Sequence, residues 1–199
     1  KEFANLDWEN SIVVMGCSQT LGAGNAVEDT IPAMLEQMID MPVINLGISG
    51  SAIDHMCWNS MCLHEEYPTP KALCHIWTST SRYTNFLDVY SKDEHTYEVF
   101  GEQLRPSNMH VNSKHYNGAT YDHRHAWEIR SKWYVKGDRI MWRDKLPYVE
   151  STFFARSATD LGVPYIEQFD VARDLDHPGI KSNRAMAELI ANELKQKGL

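Results

Sequence analysis

Three short apolar runs, each ending in a turn of small residues, constrain this chain more than any other feature. The runs are residues 11–15, 43–46 and 72–77. The turns after them are Gly16-Cys17-Ser18-Gln19-Thr20-Leu21-Gly22, Gly47-Ile48-Ser49-Gly50-Ser51 and Thr78-Ser79-Thr80-Ser81-Arg82. Short, largely apolar runs of this kind read as strands of a sheet covered by helices. Stretches of helical period lie between them. Thr30 and Pro32 suit a first helical turn. Ile31, Met34, Leu35, Met38 and Ile39 then share one face until Met41-Pro42 ends the pattern. Ile53, Met56, Cys57 and Met61 are the expected inner face of a second helix. Strand, helix, strand, helix, strand in this order predicts an α/β fold with a parallel sheet and helices on both faces. Ligand sites of such sheets lie beyond the C-terminal ends of the strands, where all three turns sit.

Residues 84 to about 145 break the alternation. They are rich in His, Asn, Tyr, Trp and charge, and Arg105-Pro106-Ser107-Asn108 and Tyr116-Asn117-Gly118 are turn-like. We read one domain over residues 1–199 with an insertion at about 84–145 that packs over the site, including some helix around 121–136. Beyond it, residues 146–161 read as a helix ended by Gly162 and 163–169 as a strand. The last helix has Ser182 as candidate N-cap and Met186, Leu189, Ile190 and Leu194 as its apolar stripe.

With 43% hydrophobic and 23% charged residues the composition is that of a soluble globular protein, and no apolar run approaches membrane-spanning length. A net charge of −8 argues against a nucleic-acid partner. Cys17, Cys57, Cys62 and Cys74 show no C-x-x-C spacing, and buried reduced thiols are the expectation. The chain begins at Lys1, so the lack of a visible targeting segment leaves its compartment open. Oligomeric state is equally unassigned.

A serine hydroxyl needs a base to become a nucleophile. Ser18, flanked by glycines after a strand, is the candidate nucleophile, and His177 in Asp174-Leu175-Asp176-His177-Pro178 is the candidate base. Asp174, three residues earlier, can fold back in a loop and accept from the imidazole Nδ1–H. Asp176 is the rival orienter, but an adjacent side chain normally points away. A helix-capping or surface Asp–His pair would carry the same residues.

Together these blocks resemble the SGNH hydrolases, the GDSL-like esterase and lipase family. The family's G-D-S-x-T-x-G is similar to residues 16–22, its N-x-G-x-x-G to Asn45-Leu46-Gly47-Ile48-Ser49-Gly50, and its D-x-x-H-P to Asp174 through Pro178. With flanking elements, the matched blocks span roughly half of the chain. The resemblance implies a three-layer α/β/α sandwich with a flavodoxin-like sheet. It also implies Ser18 as nucleophile, His177 as base, Asp174 as orienter, and the N–H groups of Ser18 and Gly50 as oxyanion donors. It requires no metal or organic cofactor. A glycine at position 47 or 50 could equally serve only a tight turn.

Two departures stand out. Cys17 replaces the acidic residue beside the serine. This raises a reactive Cys17 as a rival nucleophile, discounted because neighbouring residues at a strand end face opposite ways. The family's G-x-N-D after the third strand is absent: Trp77 stands for Gly and Ser79 for Asn. Ser79 is then the candidate third oxyanion donor, with Arg82 or Asn85 as substitutes and as candidate substrate-binding groups. In the insertion, Asp122, His123 and His125 would be the nearest thing to a metal set, without standard ligand spacing, and His95, His110 and His115 read as a polar cover. Tyr116, Tyr121, Trp127, Trp133, Tyr134 and Trp142 would stack on sugar rings, line an acyl pocket, or form a small core of their own.

The expected function is therefore hydrolysis of a carboxylic ester, with an O-acetyl ester on a carbohydrate as the favoured substrate. The alternative is a weak or inactive domain of the same fold that binds a glycan or a protein.

Overall fold

The computed structural model describes residues 5–82, 99–100, 103–104 and 121–199. The elements are β1 (Ile12–Gly16), α1 (Ser18–Leu21), a 3-10 turn (Val27–Asp29), α2 (Ile31–Ile39), β2 (Val43–Gly47), α3 (Ile53–Glu66) and β3 (Ala72–Trp77). They continue with β4 (Val99–Phe100), β5 (Gln103–Leu104), α4 (Tyr121–Trp142), β6 (Tyr148–Thr152), α5 (Ala155–Leu161) and α6 (Ile180–Gln196). Four strands form a parallel sheet in the order β2-β1-β3-β6. A parallel bridge from Thr152 to Tyr165 extends it by one residue pair. The β4–β5 pair is antiparallel and separate. The expected α/β sandwich with a parallel sheet is the fold observed.

The largely apolar sequences of β1 and β3 follow from two covered faces. Alternate residues of a strand point to opposite sides. Ile12 and Val14 of β1 join Ile31, Leu35, Met186 and Ile190 under α2 and α6. Val13 and Met15 join Trp8, Leu63, Leu73 and Trp142 under α3 and α4. Each such aliphatic side chain contributes roughly 1.5–3 kcal/mol by leaving water. Helix α2 starts where expected: Thr30 is its N-cap and its side chain accepts from Ala33 N–H, with Pro in the first turn. The four cysteines are free and buried.

Four sequence expectations differ from what forms. Residues 146–161 divide into strand β6 and the shorter helix α5, whose C-cap is Gly162 in the left-handed region. Tyr148, Val149 and Thr152 favour a strand, and the charge in its middle is matched. Glu150, buried, accepts from Arg139 Nε at 2.9 Å, Arg143 Nη2 at 2.8 Å and Trp77 Nε1 at 2.9 Å. Residues 163–169 contribute only the Tyr165 bridge, held by Thr152 N–H to Pro164 O and Ile166 N–H to Thr152 O. Pro164 has no N–H with which to extend a ladder. Helix α6 has Gly179 as N-cap, and Asp170 does the capping. Its carboxylate accepts from Lys181 and Ser182 N–H, both at 2.9 Å, and from the Ser182 hydroxyl at 2.6 Å. Met61 is 39% exposed, and Cys62 and Leu63 take the inner positions of α3.

Helix α4 runs through Trp142, inside the stretch read as insertion. Val135 and Trp142 are buried in the domain's own core. It lies in sequence between the adjacent parallel strands β3 and β6, whose connection is too wide for a hairpin. Beneath it lies a buried polar network. His75 Nε2 stands 3.0 Å from Asp138 Oδ2, both side chains fully buried, and Tyr148 donates to the same oxygen at 2.6 Å. Burial acts to raise the Asp138 carboxyl. The charge and hydrogen bond of His75, with hydrogen bonds from Ser60 and Tyr148, hold it below the usual carboxylate range. Among the described residues no helix is long and apolar enough to cross a membrane.

Candidate active site

Strand register brings the three small-residue turns to one edge. Gly16 pairs with Gly47 on one side and Ile76 on the other. Ser18, Gly50 and Ser79 each lie a few residues beyond those partners. Cys17 leaves β1 in extended conformation and Ser18 opens α1. Cys17 O accepts from Thr20 and Leu21 N–H, and Ser18 O from Gly22 and Ala23 N–H. The first N–H groups of a helical turn have no acceptor within the turn. Among the described residues the Ser18 N–H is bonded to none, and neither is that of Gly50.

The second turn braces the first. Asn45 Nδ2 donates to Thr20 O at 3.2 Å, and Asn45 Oδ1 accepts Gly47 N–H at 2.8 Å. Helix α1 packs directly on Gly47, where a Cβ would stand 2.3 Å from Leu21 N. Gly50 has φ +77°. Each glycine therefore meets a different demand, close approach at 47 and a left-handed backbone at 50.

At the far end of the chain, residues 171–178 form a short hairpin. Val171 bridges Pro178, Ala172 N–H donates to His177 O at 2.8 Å, and Gly179 N–H donates to Asp170 O at 3.1 Å. The tip turns at Leu175, a non-glycine residue at φ +61°. Here Asp174 Oδ1 accepts the N–H groups of Asp176 and His177, each at 3.1 Å. Asp174 Oδ2 lies 2.7 Å from His177 Nδ1, and His177 Nε2 lies 2.8 Å from Ser18 Oγ. The carboxyl of Asp174 is lowered to about 2. The His177 and Asp176 N–H groups cause most of this, and the imidazole adds to it. A carboxylate only accepts, so Nδ1 of the neutral ring carries the proton and Nε2 faces the serine hydroxyl. Asp176 offers this site its backbone N–H.

The third turn is engaged within itself. Ser79 Oγ lies 2.8 Å from Ser81 Oγ, and Arg82 N–H donates to Ser79 O at 3.0 Å. Arg82 Nη1 donates to Thr78 Oγ1 at 2.9 Å, and its guanidinium lies 5.7 Å from the Phe154 ring centroid. Trp77, where the family has glycine, is fully buried, stacks on His75 at 4.2 Å and donates to Glu150. The Cys17 thiol is buried and directed to Gln19 Oε1 at 3.7 Å. Asn85, His95, His110, His115 and Tyr116 lie outside the described residues, as do the side chains of Tyr121, Asp122, His123, His125 and Trp127. Trp142 belongs to the core, whereas Trp133 is 68% exposed. Two neighbours of the hairpin, Gly24 and Asn25, carry no signal in the sequence beyond following the serine turn.

No family model matches the sequence, and no curated protein matches it either. Solved structures do resemble it. A member of the lipolytic protein G-D-S-L family from Veillonella parvula superposes with a TM-score of 0.50 at 11% identity, covering 95% of this chain and 99% of that one. An acetyl xylan esterase from the rumen bacterium Butyrivibrio proteoclasticus gives 0.56 at 11% identity over 96% of this chain and 64% of that one. A family two carbohydrate esterase from Clostridium thermocellum, solved with cellohexaose, gives 0.51 at 12% identity over 96% and 65%. This chain thus spans nearly all of the lipolytic protein and about two thirds of each carbohydrate esterase. The chain has the fold of the SGNH, or GDSL-like, hydrolases.

Proposed function

We propose that this chain hydrolyses carboxylic esters, with Ser18 as nucleophile, His177 as general base and acid, and Asp174 as the group that orients and supports the imidazole. The observation that carries this reading is the continuous hydrogen-bonded chain from Asp174 Oδ2 through His177 to Ser18 Oγ, at 2.7 and 2.8 Å. As Ser18 Oγ adds to the carbonyl carbon, its proton passes to His177 Nε2, and Asp174 stabilises the imidazolium. The oxyanion accepts from the N–H groups of Ser18 and Gly50, which have no acceptor among the described residues. Ser79 supplies the third donor. If Ser81 Oγ donates to Ser79 Oγ, the Ser79 proton is left for the oxyanion. His177 then returns the proton to the leaving alcohol, and the acyl group stays on Ser18. Water, deprotonated by His177, attacks the acyl carbon, releases the carboxylic acid and restores the serine.

The substrate we favour is an O-acetyl ester on a carbohydrate. Two of the fold's neighbours are carbohydrate esterases by name, which supports this choice. Arg82 and Asn85 are the proposed substrate-side donors, and Arg82 has N–H groups beyond the one given to Thr78. The test compares wild type and Ser18→Ala on 4-nitrophenyl acetate and on acetylated xylan. Turnover should be present in the first and lost in the second. The second reading, a domain that binds a glycan or a protein without turnover, is favoured by Ser79 standing where the family has Asn. Glycan or protein binding with no hydrolysis across a panel of acetyl esters would select it.

A further inference from the structure

Gly24 and Asn25 touch the Asp174–His177 hairpin from the nucleophile's side. Gly24 has φ +76°, and a Cβ there would stand 2.6 Å from Asp174 Cγ and Oδ2, so the carboxylate rests against bare backbone. Gly24 O accepts Arg173 N–H at 3.2 Å. Asn25 Nδ2 donates both to Ala23 O at 3.1 Å and to Pro178 O at 3.0 Å. The two ties bracket the hairpin tip, one just before Asp174 and one just after His177. The tip has little burial of its own: Asp174, Leu175 and Asp176 are exposed, and Leu175 is held at positive φ. A strained, exposed turn keeps one geometry only when its surroundings over-determine it.

We infer that the Gly24–Asn25 turn positions the Asp174–His177 pair against Ser18, Gly24 as the seat of the carboxylate and Asn25 as the clamp on the hairpin. The turn follows directly from α1, which Ser18 opens, so the base loop is tied to the same segment that carries the nucleophile. Neither residue touches the reacting atoms. The effect on rate rests on the hydrolase reading above; the effect on hairpin geometry does not.

The test uses the full chain with Gly24→Ala and Asn25→Asp. The second variant is isosteric, removes the donor and sets an oxygen against Pro178 O, so it serves if the first fails to fold. Two readouts are taken. One is the low-field proton resonance of His177 Nδ1–H, assigned by its loss in His177→Gln. The other is the rate of Ser18 phosphonylation by a fluorophosphonate. Both variants should lose or broaden the resonance and slow phosphonylation by about 10- to 100-fold, as small misplacements of reacting groups do. The circular-dichroism spectrum of Asn25→Asp should stay that of the wild type. A folded Asn25→Asp with wild-type resonance and rate overturns the inference. If wild-type Ser18 does not react with the fluorophosphonate, the hydrolase reading fails and the resonance alone decides. Its loss in the variants sustains the positioning role, and its persistence overturns it.

Discussion

His177 Nε2 stands 2.8 Å from Ser18 Oγ across 159 positions of sequence. Ser18 follows a strand flanked by β2 and β3, and His177 precedes a helix packed against α2. The sheet edge and the α2–α6 layer thus bring the two ends of the chain together. If this contact is the catalytic one, Ser18→Ala should abolish ester turnover. Asp174→Asn should lower kcat by about 10,000-fold, the cost of losing the correct tautomer in comparable triads. Steady-state kinetics on an acetyl ester check both.

Acid stability should carry the signature of Asp174. Its folded-state carboxyl is lowered to about 2, from a value near 4 in the unfolded chain. Between these values the unfolded chain binds more protons, so stability rises with pH there. The contribution is complete above about pH 4 and is lost as pH falls toward about 2. Urea unfolding from pH 2 to 6 should show this dependence in wild type and a shallower one in Asp174→Asn.

The third oxyanion donor is open to direct test. Removing such a donor costs roughly 100- to 1,000-fold in kcat. Ser79→Ala should fall near the lower bound with KM little changed. An unchanged kcat would transfer the role to Arg82 or Asn85, and the corresponding alanine variants would then show the loss.

Thiol chemistry should leave activity untouched. Cys17 adjoins Ser18, but the residue is 1% exposed and its thiol is directed to Gln19. Iodoacetamide should neither label Cys17 in the native chain nor inactivate it, since reactive cysteines need exposure as well as thiolate character. Cys17→Ser should retain turnover. Inactivation that tracks labelling of Cys17 would reverse the assignment of the nucleophile.

The buried network under α4 should be a stability element. His75→Ala leaves Asp138 short of the ring that lies 3.0 Å from its Oδ2. Losing one partner of a buried pair costs about 3–5 kcal/mol, and Tyr148→Phe should cost about 1–3 kcal/mol by removing one hydrogen bond to the same carboxylate. Equilibrium urea unfolding measures both.

Much of this was legible from residue order alone. Strands β1 and β3 are largely apolar because both of their faces are covered, and β2, at the sheet edge with Asn45 exposed, still carries enough apolar residues between turn signals to be read as a strand. The serine turn and the D-x-x-H-P loop stand out in the sequence because the chemistry proposed for them demands particular residues at short spacing. Strand β6 was not. Its central Glu150 looks exposed in sequence, and only Arg139, Arg143 and Trp77, brought from α4 and β3, make a buried carboxylate tolerable there. The Asp170 cap on α6 and the Asn25 tie to Pro178 are likewise contacts between distant segments, with no local pattern to announce them. Sequence by itself determined the alternation of strands and helices and the residue types at the site, because these depend on local period and side-chain chemistry. Tertiary structure alone decided which distant groups meet at 2.8 to 3.2 Å, because those distances depend on how the layers pack.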